Sequence, residues 1–82
     1  MKSIHERVEN IFKKVFDDNN FKITKDLSPE NYEKWDSIHT VFILGELEKE
    51  FNTTFSTQDV SEFTSTSRII EIVKKNIEEQ LV

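Results

Sequence analysis

Apolar residues near the start of the chain recur at a helical spacing. Ile4, Val8, Ile11, Phe12 and Val15 follow i, i+4, i+7, i+8 and i+11, the stripe that one face of an α-helix presents. Ser3 and Glu6 stand ahead of it as a capping-box pair, each side chain able to satisfy a backbone donor of the other. A helix is predicted over about Ile4–Phe16. The period is then lost. DDNNFKITKDLSPENYEKWD, residues 17–36, carries turn residues and a proline, with Phe21, Ile23, Leu27, Tyr32 and Trp35 scattered through it. A structureless loop of that length is unusual in a compact domain, so its apolar residues are expected to pack across the core.

The helical period returns at Ser37 and runs to about Glu50 or Phe51. Val41, Leu44, Leu47 and Phe51 read as its buried stripe, flanked by Thr40 and Ile43. NTTFST interrupts the pattern. A short helix over about Gln58–Glu62 is expected next, capped by Thr57 and facing inward through Val60. TSTS supplies caps for a last helix, about Ser67–Glu79, with Ile69, Ile70, Val73 and Ile77 as its stripe and Lys74 and Lys75 on a solvated face. The pattern is all-α: three substantial helices, one short one, and a long connection between the first two.

Composition narrows the chemistry. With 82 residues the chain suffices for one small domain, 1–82, which buries about 60% of its unfolded surface. A deep catalytic cleft is hard to build at that size. There is no cysteine, and His5 and His39 are the only histidines; disulfides, a thiolate nucleophile and a conventional zinc site are excluded or disfavoured. The net charge of −5 argues against nucleic acid, whose phosphates need a basic surface. No apolar run approaches the length that spans a bilayer, and the polar MKSIHERVEN reads as a helix start rather than a signal peptide. A cytoplasmic, monomeric protein is expected.

Enzyme signatures fail. A single glycine forbids phosphate-binding glycine loops and the nucleophile elbow. Ser37 and His39 lie two apart on one helix and point about 200° away from each other, so they cannot form a nucleophile–base pair. DDNN at Asp17 lacks the glycine and the twelfth-position glutamate of a calcium loop, where Ser28 stands. Asp36 and Ser37 remain. Asp-Ser is a common way to start a helix. It is also a physical anchor for phosphate: with Asp36 as N-cap, the Ser37 hydroxyl sits beside unpaired N–H groups and the positive end of the helix dipole. The Asp36 carboxylate could cap the helix or hold a metal ion during a phosphoryl-type transfer.

WDSIHTVFILGELEKEF resembles the attachment region of acyl carrier and peptidyl carrier proteins. Asp36-Ser37-Ile38 stands for their Asp-Ser-Leu motif. Val41, Leu44, Leu47 and Phe51 match their apolar positions, and ELEKEF their acidic end. FKITKDLSPENYEKWDSI is similar to their long first loop, and STQDVSEFTSTSRIIEIVKKNI to their third and fourth helices, so the likeness covers about Ile4–Ile77. The resemblance implies a four-helix carrier-protein bundle that catalyses nothing. It implies a 4′-phosphopantetheine arm on Ser37, taken from coenzyme A by a magnesium-dependent phosphopantetheinyl transferase, with Asp36 assisting that reaction. The arm's thiol would carry an acyl or aminoacyl thioester from a loading enzyme to a downstream synthase or transferase.

Some positions depart from that pattern. Trp35 precedes Asp36 where fatty-acid carriers tend to have a nearby glycine. The outward face of the second helix reads Ile38, Phe42, Gly45, Glu46 and Lys49, and His39 and Phe42 stand where those carriers tend to have carboxylates; Glu48 and Glu50 keep some charge at the far end. A partner surface of Ile38, His39, Phe42, Gly45, Glu46, Glu48 and Lys49 is expected. It suits a specialised carrier (aminoacyl, D-alanyl-type, secondary-metabolite or polysaccharide) rather than general fatty-acid synthesis. The competing expectation is an unmodified acidic adaptor that binds through Ile38 and Phe42. Ser67 stands where the family often has an apolar residue, which suggests a frayed or later start to the last helix.

Overall fold

The computed structural model describes residues 3–23 and 26–80, the last two of these by backbone alone; Thr24 and Lys25 of the long connection lie outside the described residues. Within them the chain folds as α1 (Ile4–Phe16), α2 (Ser37–Phe51), α3 (Thr57–Ser61) and α4 (Thr66–Gln80), the all-α order expected from the sequence. α1 packs against both α2 and α4.

The local chemistry explains each helix end. Ser3 Oγ accepts the Glu6 N–H at 3.1 Å, the serine half of the capping box. α1 stops where Asp17 turns left-handed, φ 51°, and its N–H reaches the carbonyls of Lys13 and Lys14. α2 stops the same way at Asn52, φ 50°. Asp and Asn tolerate this conformation better than other residues with a Cβ, so neither end needs a glycine. Lys13 and Lys14 place positive charge at the negative end of the α1 dipole.

Val8, Ile11, Phe12 and Phe16 of α1 are buried. The long connection joins them as expected. Phe21, Leu27 and Trp35 are buried, and Ile23 and Tyr32 pack at the edge. Phe12, Phe16, Phe21, Tyr32 and Trp35 form one aromatic cluster with centroids 4.8–6.1 Å apart, a spacing at which aromatic pairs add stability beyond area burial. Polar groups are satisfied along the way: the Ile23 backbone N–H donates to the Glu9 carboxylate at 2.7 Å, and the Asp18 carboxylate accepts the Tyr32 hydroxyl at 3.2 Å. Burial, then the Asp18 carboxylate, pushes the Tyr32 phenol above its ordinary pKa.

Three expectations are corrected. Val41 is 64% exposed, while Ile43 and Leu47 are fully buried and Phe51 nearly so. Successive i+3 steps fall 60° short of a full turn, so Val41 lies about 120° away from Leu47, whereas Ile43 lies only about 40° away. The stripe is Ile43, Leu47 and Phe51, with Thr40 and Leu44 half-buried beside it. The cap of α3 is Ser56, whose hydroxyl accepts the Asp59 N–H at 3.0 Å; Thr57 is the first helical residue. α4 begins at Thr66, earlier than expected, and Ser67 is held rather than frayed, because the Asp26 carboxylate accepts its N–H at 3.0 Å. Ile72 joins Ile69 and Val73 in the core, while Ile70 and Ile77 are only half-buried. Lys74 and Lys75 are exposed as expected.

Candidate functional site

The N-terminus of α2 is fixed from three sides. The Trp35 ring, 2% exposed, is inserted against Phe12 and Phe16. Its Nε1–H donates to Thr40 Oγ1 at 2.9 Å, and the same hydroxyl donates to the Asp36 carbonyl at 3.1 Å. This brace ties the residue before the cap to the first turn of the helix. Asp36 closes the turn: its carboxylate accepts the His39 N–H at 2.9 Å and meets His39 Nδ1 at 2.7 Å. These hydrogen bonds, the His39 backbone amide first and its ring second, hold the Asp36 carboxyl below the usual carboxylate range. Asp36 is therefore ionised at neutral pH.

Ser37 is the first residue of α2 and is exposed. Among the described residues its hydroxyl makes no hydrogen bond. The first turn of α2 holds no acidic residue beyond the cap, so the N-terminal end of the helix dipole is open to an added anion. The arrangement fits a phosphate-linked group: an unencumbered hydroxyl, a solvent-facing position, and a backbone on either side that is pinned rather than loose.

The residues expected on the partner surface separate into two groups. Ile38 and Phe42 are 62% and 56% exposed, and Val41, expected in the core, joins them. Gly45 and Lys49 are also exposed. The others are occupied within the chain. His39 is half-buried, bonded to Asp36 and lying over Phe16 with centroids 5.4 Å apart. The Glu46 carboxylate pairs with Lys14 at 3.0 Å. Glu48 accepts the Phe55 N–H at 3.0 Å and so serves the turn after α2. Glu50 pairs with Arg7 at 2.8 Å, and the Arg7 guanidinium lies 4.3 Å from the centre of the Phe51 ring. Two ion pairs thus bridge α1 and α2 along one edge.

The Trp35–Thr40–Asp36 brace and the His39–Phe16 contact were not foreseen. The i, i+5 spacing of Trp35 and Thr40 is a faint signal for the first, and nothing local signals the second.

Among the described residues no helix is long and apolar enough to cross a membrane. No protein-family model and no curated protein matches the chain. A structural match does exist: the solution NMR structure of a holo acyl carrier protein from Geobacter metallireducens superposes with a TM-score of 0.84, covering 99% of this chain and 92% of that one, at 22% sequence identity. The chain has the acyl-carrier-protein fold.

Proposed function

We propose that the chain is a carrier protein that bears a 4′-phosphopantetheine arm on Ser37 and passes an acyl or aminoacyl group between partner enzymes. The observation that carries this reading is the exposed, unbonded Ser37 hydroxyl behind an ionised Asp36 cap at the start of α2, in a fold that matches a holo acyl carrier protein over 99% of the chain. When bound, the arm supplies a thiol that holds the cargo as a thioester. The chain's own residues do the positioning. Ser37 presents the hydroxyl that forms the phosphate ester. The α2 N-terminus favours the ester's negative charge. Trp35 and Thr40 hold the backbone so that the hydroxyl stays outward. Asp36, its carboxylate held in place by the His39 amide and ring, offers a carboxylate next to the reacting oxygen for the phosphopantetheinyl transferase to use. No step of bond making belongs to this chain as a catalyst; it is not an enzyme in this reading. It acts as a single domain, monomeric and cytoplasmic.

The apolar exposure of Ile38, Val41 and Phe42, with Glu46 and Glu50 neutralised from α1, supports service in a specialised pathway rather than general fatty-acid synthesis. A loading enzyme and a downstream synthase or transferase would then read a surface that is greasy rather than acidic. The same patch would serve an unmodified adaptor, and one experiment separates the two. The purified chain is incubated with coenzyme A, magnesium and a broad-specificity phosphopantetheinyl transferase, and its intact mass is measured. The carrier reading expects a gain of one phosphopantetheine, abolished by Ser37→Ala. Unchanged mass with several transferases would favour the adaptor.

A further inference from the structure

We propose that His39 is a positioning residue for the modification of Ser37: its ring locks the Asp36 carboxylate in one of its two orientations, so that one defined oxygen is left beside the reacting hydroxyl. This rests on the carrier reading of Ser37. Both bonds from His39 end on the same atom. Asp36 Oδ1 accepts the His39 backbone N–H at 2.9 Å and lies 2.7 Å from His39 Nδ1. No side chain of the described residues bonds the second oxygen, Oδ2, and the Asp36 side chain is 59% exposed.

The torsion explains why a second donor matters. Rotation about the Cβ–Cγ bond of an aspartate is broad and roughly two-fold, so either oxygen can serve a lone capping N–H in turn. A ring nitrogen on the same oxygen removes that freedom, provided the ring is itself fixed. His39 meets that condition. Its ring lies 5.4 Å from that of Phe16 on α1, tilted by 32°, and 6.2 Å from that of Phe42 on α2, edge-on at 88°. The start of α2 does not need the ring, because the backbone N–H alone completes the cap, and exposed ion pairs add little stability. What the ring adds is a fixed direction for the charge next to Ser37. An ionised carboxylate only accepts, so the hydrogen of this contact sits on Nδ1.

In the transfer, the Ser37 oxygen bonds the pantetheine-bearing phosphorus of coenzyme A. The diphosphate bridge breaks, adenosine 3′,5′-bisphosphate leaves, and the hydroxyl proton passes to a base of the transferase. The reacting oxygen belongs to the residue next to Asp36, where a misdirected carboxylate slows bond making more than it weakens binding.

Two measurements test this. The first needs no variant. Long-range 1H–15N correlation spectra of the unmodified chain at neutral pH should show His39 Nδ1 bearing a hydrogen, whichever charge the ring carries. A bare Nδ1, with the hydrogen on Nε2, would overturn the proposal. The second is steady-state phosphopantetheinylation with coenzyme A, magnesium and a broad-specificity transferase, read by intact mass, for the wild type, His39→Ala, His39→Asn and His39→Gln. All keep the backbone cap. His39→Ala should lower kcat about tenfold and leave KM for the carrier within about twofold, the pattern of an interaction that matters in the transition state. Asparagine carries an amide N–H at the place of Nδ1 and should recover kcat to within about threefold of the wild type. Glutamine carries it at the place of Nε2 and should stay near the alanine value. The asparagine–glutamine difference decides the matter should the alanine variant lose its fold. Equal kcat in those two variants would overturn the proposal, as would a raised KM with parental kcat, which would make His39 a contact residue; both outcomes leave the carrier reading standing. Absence of modification in the wild type would remove the carrier reading and the proposal with it.

Discussion

Replacing Thr66 with valine removes one oxygen and almost no volume, yet it should be among the costlier single changes in this domain. Thr66 is fully buried at the start of α4. Its N–H donates to the Leu27 carbonyl at 2.8 Å, and its hydroxyl accepts the Leu27 N–H at 3.0 Å. This reciprocal pair clips the long connection onto α4. Valine keeps the first bond, deletes the second and also removes the hydroxyl's 3.4 Å donation to the Asp26 carboxylate, leaving the N–H of the buried Leu27 without an acceptor. An unsatisfied buried donor costs about 1–3 kcal/mol; taking about 2 kcal/mol, a domain of this size loses roughly 8–16 °C in melting temperature. Serine at the same position keeps the acceptor and loses one buried methyl, worth about 0.8 kcal/mol. The expected order of stability is wild type, Thr66→Ser, Thr66→Val, the reverse of what apolar burial alone gives for the two variants. Urea unfolding followed by far-UV circular dichroism and by Trp35 fluorescence reads it. A valine variant as stable as wild type, or more stable than the serine variant, would refute the clip.

Leu47→Ala should cost about 2–5 kcal/mol, because Leu47 is fully buried, whereas Val41→Ala should stay within about 0.5 kcal/mol; chemical denaturation of the pair checks the faces of α2. Gly45→Ala should stabilise the chain by about 0.5–1 kcal/mol, since the added methyl meets nothing, and a thermal melt shows whether it does. Ser37→Ala should leave helicity and melting temperature nearly unchanged, because the side chain is exposed and unbonded; a large loss in circular dichroism would contradict that. Asp26 is held below its ordinary pKa of 3.8, chiefly by the Ser67 N–H and against a desolvation cost. A carboxylate depressed in the folded state adds stability above the unfolded pKa and loses it as pH falls through the folded value. Stability should therefore decline as pH drops past about 4, and Asp26→Asn, which keeps an acceptor but not the charge, should flatten the acid-side slope in urea titrations.

The parts of the fold that were legible depend on local signals. α1 has one apolar stripe, a serine cap and basic residues at its end, so period and boundaries agree. α2 is harder to orient, because Ile38, Val41, Phe42, Ile43 and Leu44 surround most of its first half with apolar side chains, and periodicity cannot say which of them α1 covers. The start of α4 was misplaced for a different reason. Ser65, Thr66 and Ser67 can all cap a helix; Ser65 does so, its hydroxyl accepting the Arg68 N–H at 3.2 Å, while Thr66 and Ser67 are engaged by Leu27 and Asp26, about forty residues away. At the candidate site, Ser37 and Asp36 were readable from the capping pattern and the resemblance. His39 was not, since its inward turn depends on the Phe16 ring of another helix. Glu46 looked free for the same reason: its partner Lys14 is brought to it only when α1 and α2 pack.

Peptide mapping by tandem mass spectrometry, after treatment with coenzyme A, magnesium and a phosphopantetheinyl transferase, addresses the central claim most directly. The account predicts one phosphopantetheine per chain, located on Ser37 and on no other serine or threonine, with a thiol that accepts an acyl group. Modification elsewhere, or an unmodified Ser37 peptide from a folded chain under conditions that fully convert an acyl carrier protein, would contradict it.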